Sequence, residues 1–443
     1  MKQLMQLSAV LLSAAAFANP ADPQISNVRL QQDSITRRVT VKYDLDEAAV
    51  VTMDVLTNGV SIGGANIQSV GGDCFKKVSA GNDHVATWNP YLSWPDQRFG
   101  AGVVSVRMTA WALDNTPDYM AVDITATGGA DTQTYYPAAD FVPGGVTNGI
   151  YKTTKLLMRK IMAKGVEWTM GSTTLETKRN ATREATHQVK LDGNYYIGVY
   201  EVTQAQWDLI QLSRLAPSYF NNAADRAMRP VEQVCYNEIL NAANSTTADA
   251  AYDWPADPNP NSFLGLLRSK TGIDFDLPSE AQWEFAARAG NGDTKWGDGS
   301  GILNADADEN LDLLGRYERN GGKVLSGSSY AIPTQSCGAT NGTAIVGSYA
   351  PNAWGIYDMH GNVWEWCLDW YADDITAHGG KVNIDPATPA NTLSGASGAY
   401  RVLRDGSWAY GAGGCRPACR SNDTPTGRRS NGGFRVLCSA GLQ

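Results

Sequence analysis

Three stretches near the carboxyl end of the chain decide its fold: Asp358-Met-His-Gly-Asn-Val-Trp-Glu-Trp-Cys-Leu-Asp-Trp370, Arg404-Asp-Gly-Ser-Trp408 and Gly432-Gly-Phe-Arg435. They combine tryptophans with glycines, acidic residues and arginines. The whole 443-residue chain contains 45 glycines and 13 tryptophans. Because large aromatic side chains anchor a core and glycine permits tight turns, this composition predicts a loop-rich domain built around aromatic residues.

Two helices are predicted upstream of these stretches. The first runs from Gln204 to about Ser213, because Thr203 is a good N-cap and Gln206 is its capping-box partner. The second begins after the N-cap Ser279 and ends at Gly290. Trp283, Phe285 and Ala286 form the inner face of this second helix.

In order and in content, these segments resemble the formylglycine-generating enzyme family, also called the sulfatase-modifying factor family. The resemblance covers residues 149–440. It implies a compact α+β fold related to C-type lectins, with few regular elements and many ordered loops. Long ordered loops need internal staples, for which tryptophans, metal ions or disulfides are the usual means.

The chain ahead of this domain has a different pattern. Residues 22–125 contain short stretches in which apolar and polar residues alternate, which predicts antiparallel strands with one buried face. We expect an all-β sandwich, similar to immunoglobulin or fibronectin type III modules. A linker rich in Gly, Ala, Thr and Pro is predicted at residues 126–148.

Residues 1–18 have the pattern of a secretory signal peptide, with a short apolar run ahead of Ala16-Phe-Ala18. No later segment has the ~20 apolar residues that a transmembrane helix needs. The sequence therefore predicts an exported protein, periplasmic or extracellular. A net charge of -9 argues against nucleic acid as a partner. The seven cysteines are an odd number, so at least one thiol is free or pairs with another chain.

The resemblance implies a structural calcium site in the first stretch. Asp358 and Glu365 would supply carboxylates, and Gly361 and Val363 would supply backbone carbonyls. Oxygen donors of this kind in one turn suit Ca²⁺. The alternative is that the neighbouring tryptophans belong to the core and that Glu365 is a buried acid held by backbone hydrogen bonds.

The resemblance also implies a copper-dependent oxidase site, but one ligand is missing. Family enzymes carry two cysteines in the pattern Gly-Gly-Ser-Tyr/Trp-x-Cys-x4-Cys. Laid on this chain from Ser407, the two cysteine positions are Tyr410 and Cys415. Tyrosine cannot replace a thiolate as a ligand of Cu(I). The alternative for Cys415 is a structural thiol or a disulfide partner.

Four residues match active-site positions of the family, and we expect them to line a binding pocket: Trp364, Ser407, Arg420 and Asn431. Tyr410 would join them as a binding residue. Ser407 and Cys415 would be the catalytic residues if oxidase activity is present.

Residues 409–433 have an unusual composition, with no Lys, Gln, Glu, Met or Trp. Every residue of this segment can be reached from an Asn codon by changing its two adenines. The segment thus resembles the variable regions of proteins diversified by retroelements, in which Tyr410, Gly411, Gly413 to Gly414 and Cys419 to Asp423 would vary. The alternative is a small-residue loop common to the family.

We therefore expect a binding protein on an enzyme-type fold, whose loops contact an unidentified protein, peptide or glycan. The alternative function is a formylglycine-generating oxidase that converts a sulfatase cysteine with copper and O₂. A third hypothesis is a helper protein that binds sulfatases without oxidising them.

Overall fold

The structure is a computed structural model that describes residues 22–95, 97, 102–126, 132–191, 193–213, 215–221, 224–240, 258–321, 324–326, 329–331, 341–375, 381–384 and 400–441. The chain divides into two compact units. The first unit comprises residues 1–121, 133–148 and 440–443, and the second comprises residues 122–132 and 149–439. The predicted signal peptide lies outside the described residues.

The described residues of the first unit are mostly β-strands, with a short α-helix and 3₁₀ turns. The elements along this part of the chain are β1 Ile25–Gln32, β2 Val39–Leu45, β3 Ala49–Thr57, β4 Val60–Ser61, β5 Val70–Gly72, β6 Lys76–Val78, β7 Gly81–Trp88, helix α1 Pro90–Ser93, β8 Val104–Trp111, β9 Tyr119–Asp123 and β10 Gln133–Tyr136. Strands β1 to β8 form two antiparallel sheets, ordered β1-β2-β7-β5 and β4-β3-β6, with β8 pairing β3. In β2 every second residue is buried, as the alternation predicts. The predicted all-β module is therefore confirmed.

Part of the predicted linker has regular structure. Strand β10 lies within it, and residues 133–148 belong to the first unit. The N–H of Tyr135 donates to the carbonyl of Phe75 at 2.8 Å. The ring of Tyr136 lies 5.8 Å from that of Phe75. Tyrosines at these two positions thus fix the segment to the first unit.

The second unit mixes short helices with small sheets, as expected of an α+β domain. Strands β11, β14 and β22 form an antiparallel set, while β17 pairs β19 antiparallel and β21 parallel. Strand β13 pairs β12 antiparallel and β18 parallel. The elements are β11 Lys155–Ile161, β12 Glu167–Met170, β13 His187–Leu191, β14 Tyr195–Gly198, α2 Gln204–Ile210, α3 Tyr236–Leu240, α4 Phe263–Thr271, α5 Glu280–Arg288, α6 Leu311–Leu314, α7 Glu318–Gly321, β15 Val324–Ser326, β16 Ser329–Ala331, β17 Trp364–Trp370, β18 Lys381–Ile384, β19 Arg401–Arg404, β20 Ser421–Asp423, β21 Gly432–Gly433 and β22 Leu437–Ser439.

Both predicted helices are present with the predicted caps. Thr203 and Gln206 form a capping box at the start of α2. Ser279 caps α5, and Gln282 completes a second capping box there. Helix α2 ends at Ile210, earlier than predicted, because Gln211 leaves the helical conformation. Helix α5 ends where Ala289 and Gly290 both take positive φ values.

The core of the second unit contains charged as well as aromatic side chains. Trp207, Trp283, Trp296, Trp366 and Trp408 are among its largest fully buried side chains, and so are three arginines, Arg404, Arg416 and Arg435. The six described cysteines are free thiols. Buried arginines therefore take the stapling role that disulfides fill in many loop-rich domains. None of the described helices is long and apolar enough to span a membrane.

Candidate functional site

Tyr410 stands at the surface of the second unit, where its side chain is 45% exposed. Its ring meets the buried ring of Trp364 edge to face, with centroids 5.3 Å apart. The N–H of Tyr410 donates to the carbonyl of Ser407 at 3.0 Å, and the carbonyl of Tyr410 accepts from the N–H of Glu318. Backbone bonds on both sides thus hold an exposed aromatic side chain in place.

The residues around Tyr410 include most of the predicted binding set. The side chain of Asn431 donates to the Ser407 hydroxyl at 3.1 Å. The indole N–H of Trp408 donates to the carbonyl of Ser430 at 3.2 Å, and its ring packs edge to face on Phe220. The structure therefore brings Trp364, Ser407, Tyr410 and Asn431 into one neighbourhood.

Arg420 is directed elsewhere. Its guanidinium makes two bonds to Glu280, at 2.5 and 2.8 Å, and donates to the carbonyls of Arg183 and Ala372. Its side chain is buried. Arg420 therefore stabilises the fold beneath the loop, and its charge is already paired.

Cys415 lies in an apolar cluster with Trp296, Leu311, Leu314 and Tyr317. Its side chain is fully buried. Burial raises the pKa of the Cys415 thiol well above its usual value, and Asp405 and Cys419 raise it further. Burial likewise raises the pKa of Cys419 to about 11. Both thiols are therefore protonated at neutral pH and are poor nucleophiles in this state.

The residues at this site do not fit a copper centre made of two thiolates. Tyr410 occupies the first position and faces solvent, while the thiol at the second position is held in the apolar cluster. A soft Cu(I) site needs paired sulfur ligands. This arrangement therefore does not support oxidation by copper held between two thiolates.

The turn from Asp358 to Trp364 is tightly wound. Asp358, Gly361 and Asn362 all have positive φ values. One oxygen of the Asp358 carboxylate accepts from the N–H of Gly347 at 2.5 Å, while its Oδ1 has no hydrogen-bond partner among the described residues. Burial raises the pKa of Asp358 to about 6. An unpartnered buried carboxylate oxygen is compatible with a cation in this turn. The backbone carbonyls of Gly361 and Val363 are the further ligands that the resemblance implies.

Glu365 is fully buried and strongly bound by other side chains. Arg435 donates to both of its oxygens, at 2.6 to 2.9 Å, and the indole N–H of Trp283 donates at 2.7 Å. Arg435 also donates to the carbonyls of Gly198, Tyr357 and Asp358. Glu365 is thus a buried acid, as the alternative to calcium ligation expected, but side chains rather than backbone groups donate these hydrogen bonds to it.

Two acidic residues that the sequence analysis did not select lie beside Glu365. Oxygen atoms of Glu201, Glu365 and Asp405 are all within 4.8 Å of one another, and all three residues are buried. Asp358 is not a member of this close group. One signal for Asp405 was visible in the sequence, because Asp405 replaces the first glycine of the Gly-Gly-Ser pattern. Glu201 carried no comparable signal.

Comparisons with known proteins agree on the domain. Residues 151–440, well over half of the chain, match the family model of the sulfatase-modifying factor enzyme 1-like domain. A formylglycine-generating enzyme of Streptomyces coelicolor is 36% identical over 171 residues, which are 38% of this chain and 47% of that enzyme. The chain spans about half the length of the formylglycine-generating enzymes that it matches.

Proteins with other names are also similar in sequence to this chain. A chaperone protein, LppX, of Paenibacillus barcinonensis is 28% identical over 227 residues, 48% of this chain and 69% of that protein. Among solved structures, Treponema denticola variable protein 1 is 29% identical, with a TM-score of 0.44, over 65% of this chain and 96% of that protein.

Proposed function

The chain belongs to the sulfatase-modifying factor family, and we propose that it is a binding member of this family whose ligand contacts the exposed part of residues 409–433. The ligand is a protein, a peptide or a glycan, and sulfatases are candidates. Residues 1–18 would direct the protein out of the cytoplasm.

The observation that carries this proposal is the state of the two positions where family enzymes have cysteines. Tyr410 is exposed on top of Trp364, and Cys415 is a buried, protonated thiol in an apolar cluster. An exposed tyrosine supplies apolar area and a hydroxyl with little loss of side-chain entropy, which suits a binding surface. A buried thiol with a raised pKa does not suit attack on a substrate.

The rest of the segment supports a division between scaffold and surface. Arg416 is buried and pairs with Glu184 at 2.9 Å, whereas Tyr410 and Thr426 are exposed. Exposed residues on a firmly held backbone can change with little effect on the fold. This is the arrangement that a surface selected for different ligands requires.

Retroelement diversification, if it acts here, would be confined to part of the predicted positions. Arg420 is paired with Glu280, and Asp423 is paired with Arg429 at 2.7 Å. Replacing either residue would remove an ion pair that holds the segment. We therefore propose variation at Tyr410, Gly411, Gly414, Ser421 and Asn422, which are exposed or half-buried. A template repeat and a reverse-transcriptase gene beside the coding sequence are expected, and their absence would contradict diversification.

The formylglycine-generating oxidase is the second candidate, favoured by the identity to the Streptomyces enzyme. The deciding assay incubates the purified protein with Cu(I), O₂, a thiol reductant and a Cys-x-Pro-x-Arg peptide, beside an active enzyme as control. We expect no aldehyde by mass spectrometry. Conversion that is lost in Cys415→Ser would overturn the binding proposal in favour of an oxidase with an altered ligand set.

The binding proposal has its own test. The protein is applied to glycan arrays and to displayed peptide libraries, and each hit is titrated against Tyr410→Ala and Tyr91→Ala. Tyr91 is an exposed tyrosine of the first unit and serves as the matched control. A ligand whose affinity falls at least about 10-fold only in Tyr410→Ala supports the surface. Ligands whose affinity is unchanged in Tyr410→Ala would contradict the proposed binding surface.

A further inference from the structure

Glu201, Glu365 and Asp405 bring three carboxylates into the interior of the second unit. Glu201 follows strand β14, Glu365 lies in β17, and Asp405 follows β19. None of the three residues has measurable exposure. Their oxygen atoms approach one another within 4.8 Å. Three chain segments that are far apart in sequence therefore converge on one point with negatively charged side chains.

The positive charge at this point is insufficient. Arg435 is the cation bound to Glu365, and its charge also acts on Glu201 and Asp405. The other donors are neutral. Glu201 accepts from the side chain of Asn362 at 2.6 Å and from the N–H of Val363 at 3.1 Å. One guanidinium cannot balance three ionised carboxylates. Burial raises the pKa of Glu201 and of Asp405 well above their ordinary values, so these two groups need either a proton or a cation to compensate them.

Asp405 shows the imbalance at the level of a single atom. Its Oδ1 accepts from the N–H of Gly361 at 2.6 Å. Its Oδ2 is buried and has no hydrogen-bond partner among the described residues. A buried carboxylate oxygen without a partner is costly, because the group has lost its hydration and gained nothing in return. This oxygen is therefore available to a ligand.

The backbone at Asp405 is also unfavourable for aspartate. Its φ is 93°, a region that glycine adopts freely and other residues rarely adopt. The family pattern has glycine at this position. An aspartate here places a carboxylate beside Glu201 and Glu365 in spite of the backbone strain, which is of order 1 to 3 kcal/mol for such a residue.

We propose that Glu201, Glu365 and Asp405 bind one divalent cation, of the class represented by Ca²⁺. All three ligands are hard oxygen donors, which Ca²⁺ prefers over softer nitrogen or sulfur ligands. Oxygens at opposite sides of a Ca²⁺ ion are about 4.6 to 5.2 Å apart, because Ca–O distances are about 2.3 to 2.6 Å. The separations among the three carboxylates, at most 4.8 Å, match this span.

This ligand set differs from the one implied by the family resemblance. Only Glu365 is common to both, while Asp358, Gly361 and Val363 belong to the family set alone. Glu365 already accepts from two N–H groups of Arg435 and from the indole N–H of Trp283, which leaves about one of a carboxylate's four acceptor positions for an ion. The cation and Arg435 would then lie on different sides of the same carboxylate. Asp405 and Asp358 consequently distinguish the two sets.

The test uses the full mature protein after removal of metal with a chelator. Calcium stoichiometry and affinity are measured by titration calorimetry and by metal analysis of the dialysed protein, for wild type and for Asp405→Gly, Asp358→Asn and Asp306→Asn. Asp306 is an exposed carboxylate and controls for the loss of one negative charge. Thermal unfolding is followed with and without Ca²⁺ for each protein.

We expect Asp405→Gly to lose one equivalent of calcium, or at least about 100-fold in its affinity. We also expect its chelated form to melt no lower than the chelated wild type, because glycine relieves the positive φ and removes an unpaired carboxylate. That second result separates loss of a ligand from a failure to fold. Asp358→Asn and Asp306→Asn should keep the equivalent that Asp405→Gly loses.

Two results would overturn the proposal. The first is that the wild type binds no divalent cation, or that Asp405→Gly binds it as tightly as the wild type does. Protons and not a metal ion would then compensate these carboxylates. If Asp358→Asn alone abolishes binding, the ion sits in the Asp358 turn with the family ligand set. Neither result depends on whether the surface around Tyr410 binds a ligand.

Discussion

The two units of this protein place their ion pairs in opposite ways. In the first unit, Arg29 and Asp83 are joined at 2.6 Å by side chains that are 58% and 64% exposed. In the second unit, Arg435 and Glu365 are joined at the same distance with no exposure of either side chain. The difference follows from the backbone. The paired strands of a regular sheet satisfy one another's carbonyls, whereas irregular loops leave carbonyls that need side-chain donors.

The buried arginines supply those donors. Arg435 donates to three carbonyls, Arg416 donates to those of Gly413 and Lys178, and Arg404 donates to that of Pro417. Each also pairs with one or two buried glutamates. A guanidinium has five donors in a rigid arrangement, which suits this combination of tasks. The buried ion pairs of the second unit therefore hold its loops, whereas the exposed pair of Arg29 and Asp83 adds little to the stability of the first unit.

The largest effect is expected from replacing Arg435 in the second unit. Arg435→Met should lower the free energy of unfolding by about 3 to 5 kcal/mol, because it leaves Glu365 buried without its cation. The matched change in the first unit is Arg29→Met, which breaks the exposed pair with Asp83 and should cost at most about 1 kcal/mol. Urea unfolding of both variants checks the difference. Equal losses would remove the distinction between the two units.

The next largest effect concerns stability at acid pH. Burial alone would raise the pKa of Glu280, but Arg420 and Arg404 hold it at about 2. A carboxyl group with a lowered pKa contributes stability above its unfolded value of about 4.5, and this contribution is lost as the pH falls towards 2. The loss amounts to about 3 kcal/mol.

Glu280→Gln should therefore unfold at lower urea concentration at pH 7 and show a flatter profile between pH 4.5 and 2. An unchanged acid slope would show that other carboxylates dominate acid unfolding. Asp83→Asn in the first unit is the control, because its exposed partner Arg29 should make little difference at any pH.

A third effect has the opposite sign. Glu232 is fully buried, accepts the N–H of Phe220 at 2.8 Å, and burial raises its pKa to about 8. The folded state then holds a proton that the unfolded state releases above about pH 4.5, so stability falls as the pH rises towards 8. Glu232→Gln should remove this slope and raise the free energy of unfolding at pH 8. Unfolding curves of the wild type and of Glu232→Gln at pH 5 and pH 8 measure this slope. An equal fall in the free energy of unfolding between the two pH values in both proteins would contradict the assignment.

The two units also differ in how far the sequence predicts them. Period-two alternation sufficed for the strands of the first unit, and local capping signals located α2 and α5, because these features depend on neighbouring residues. The partner of Arg416, by contrast, is Glu184, 232 positions away. Nothing in local sequence specifies such a pair.

The candidate site shows the same limit. Motif resemblance selected Trp364, Ser407, Tyr410 and Asn431, each of which lies in a recognisable stretch, and the structure places them close together. It also grouped Arg420 with them, although that side chain is paired with Glu280 beneath the loop. Glu201 was missed because a single glutamate after a strand has no distinctive pattern. Its significance depends on tertiary proximity to Asp405.

The smallest expected effect is the most informative about function. Tyr410 belongs to the loop-rich second unit, but its side chain is 45% exposed and its ring packs edge to face on Trp364. Tyr410→Ala should change the free energy of unfolding by at most about 0.5 kcal/mol, like Tyr91→Ala in the first unit. Urea unfolding measures both. A loss of about 3 kcal/mol would mean that Tyr410 is part of the loop's support, and the surface could not then vary freely. A near-zero loss of stability together with a loss of ligand affinity would show that Tyr410 serves binding and does not support the loop.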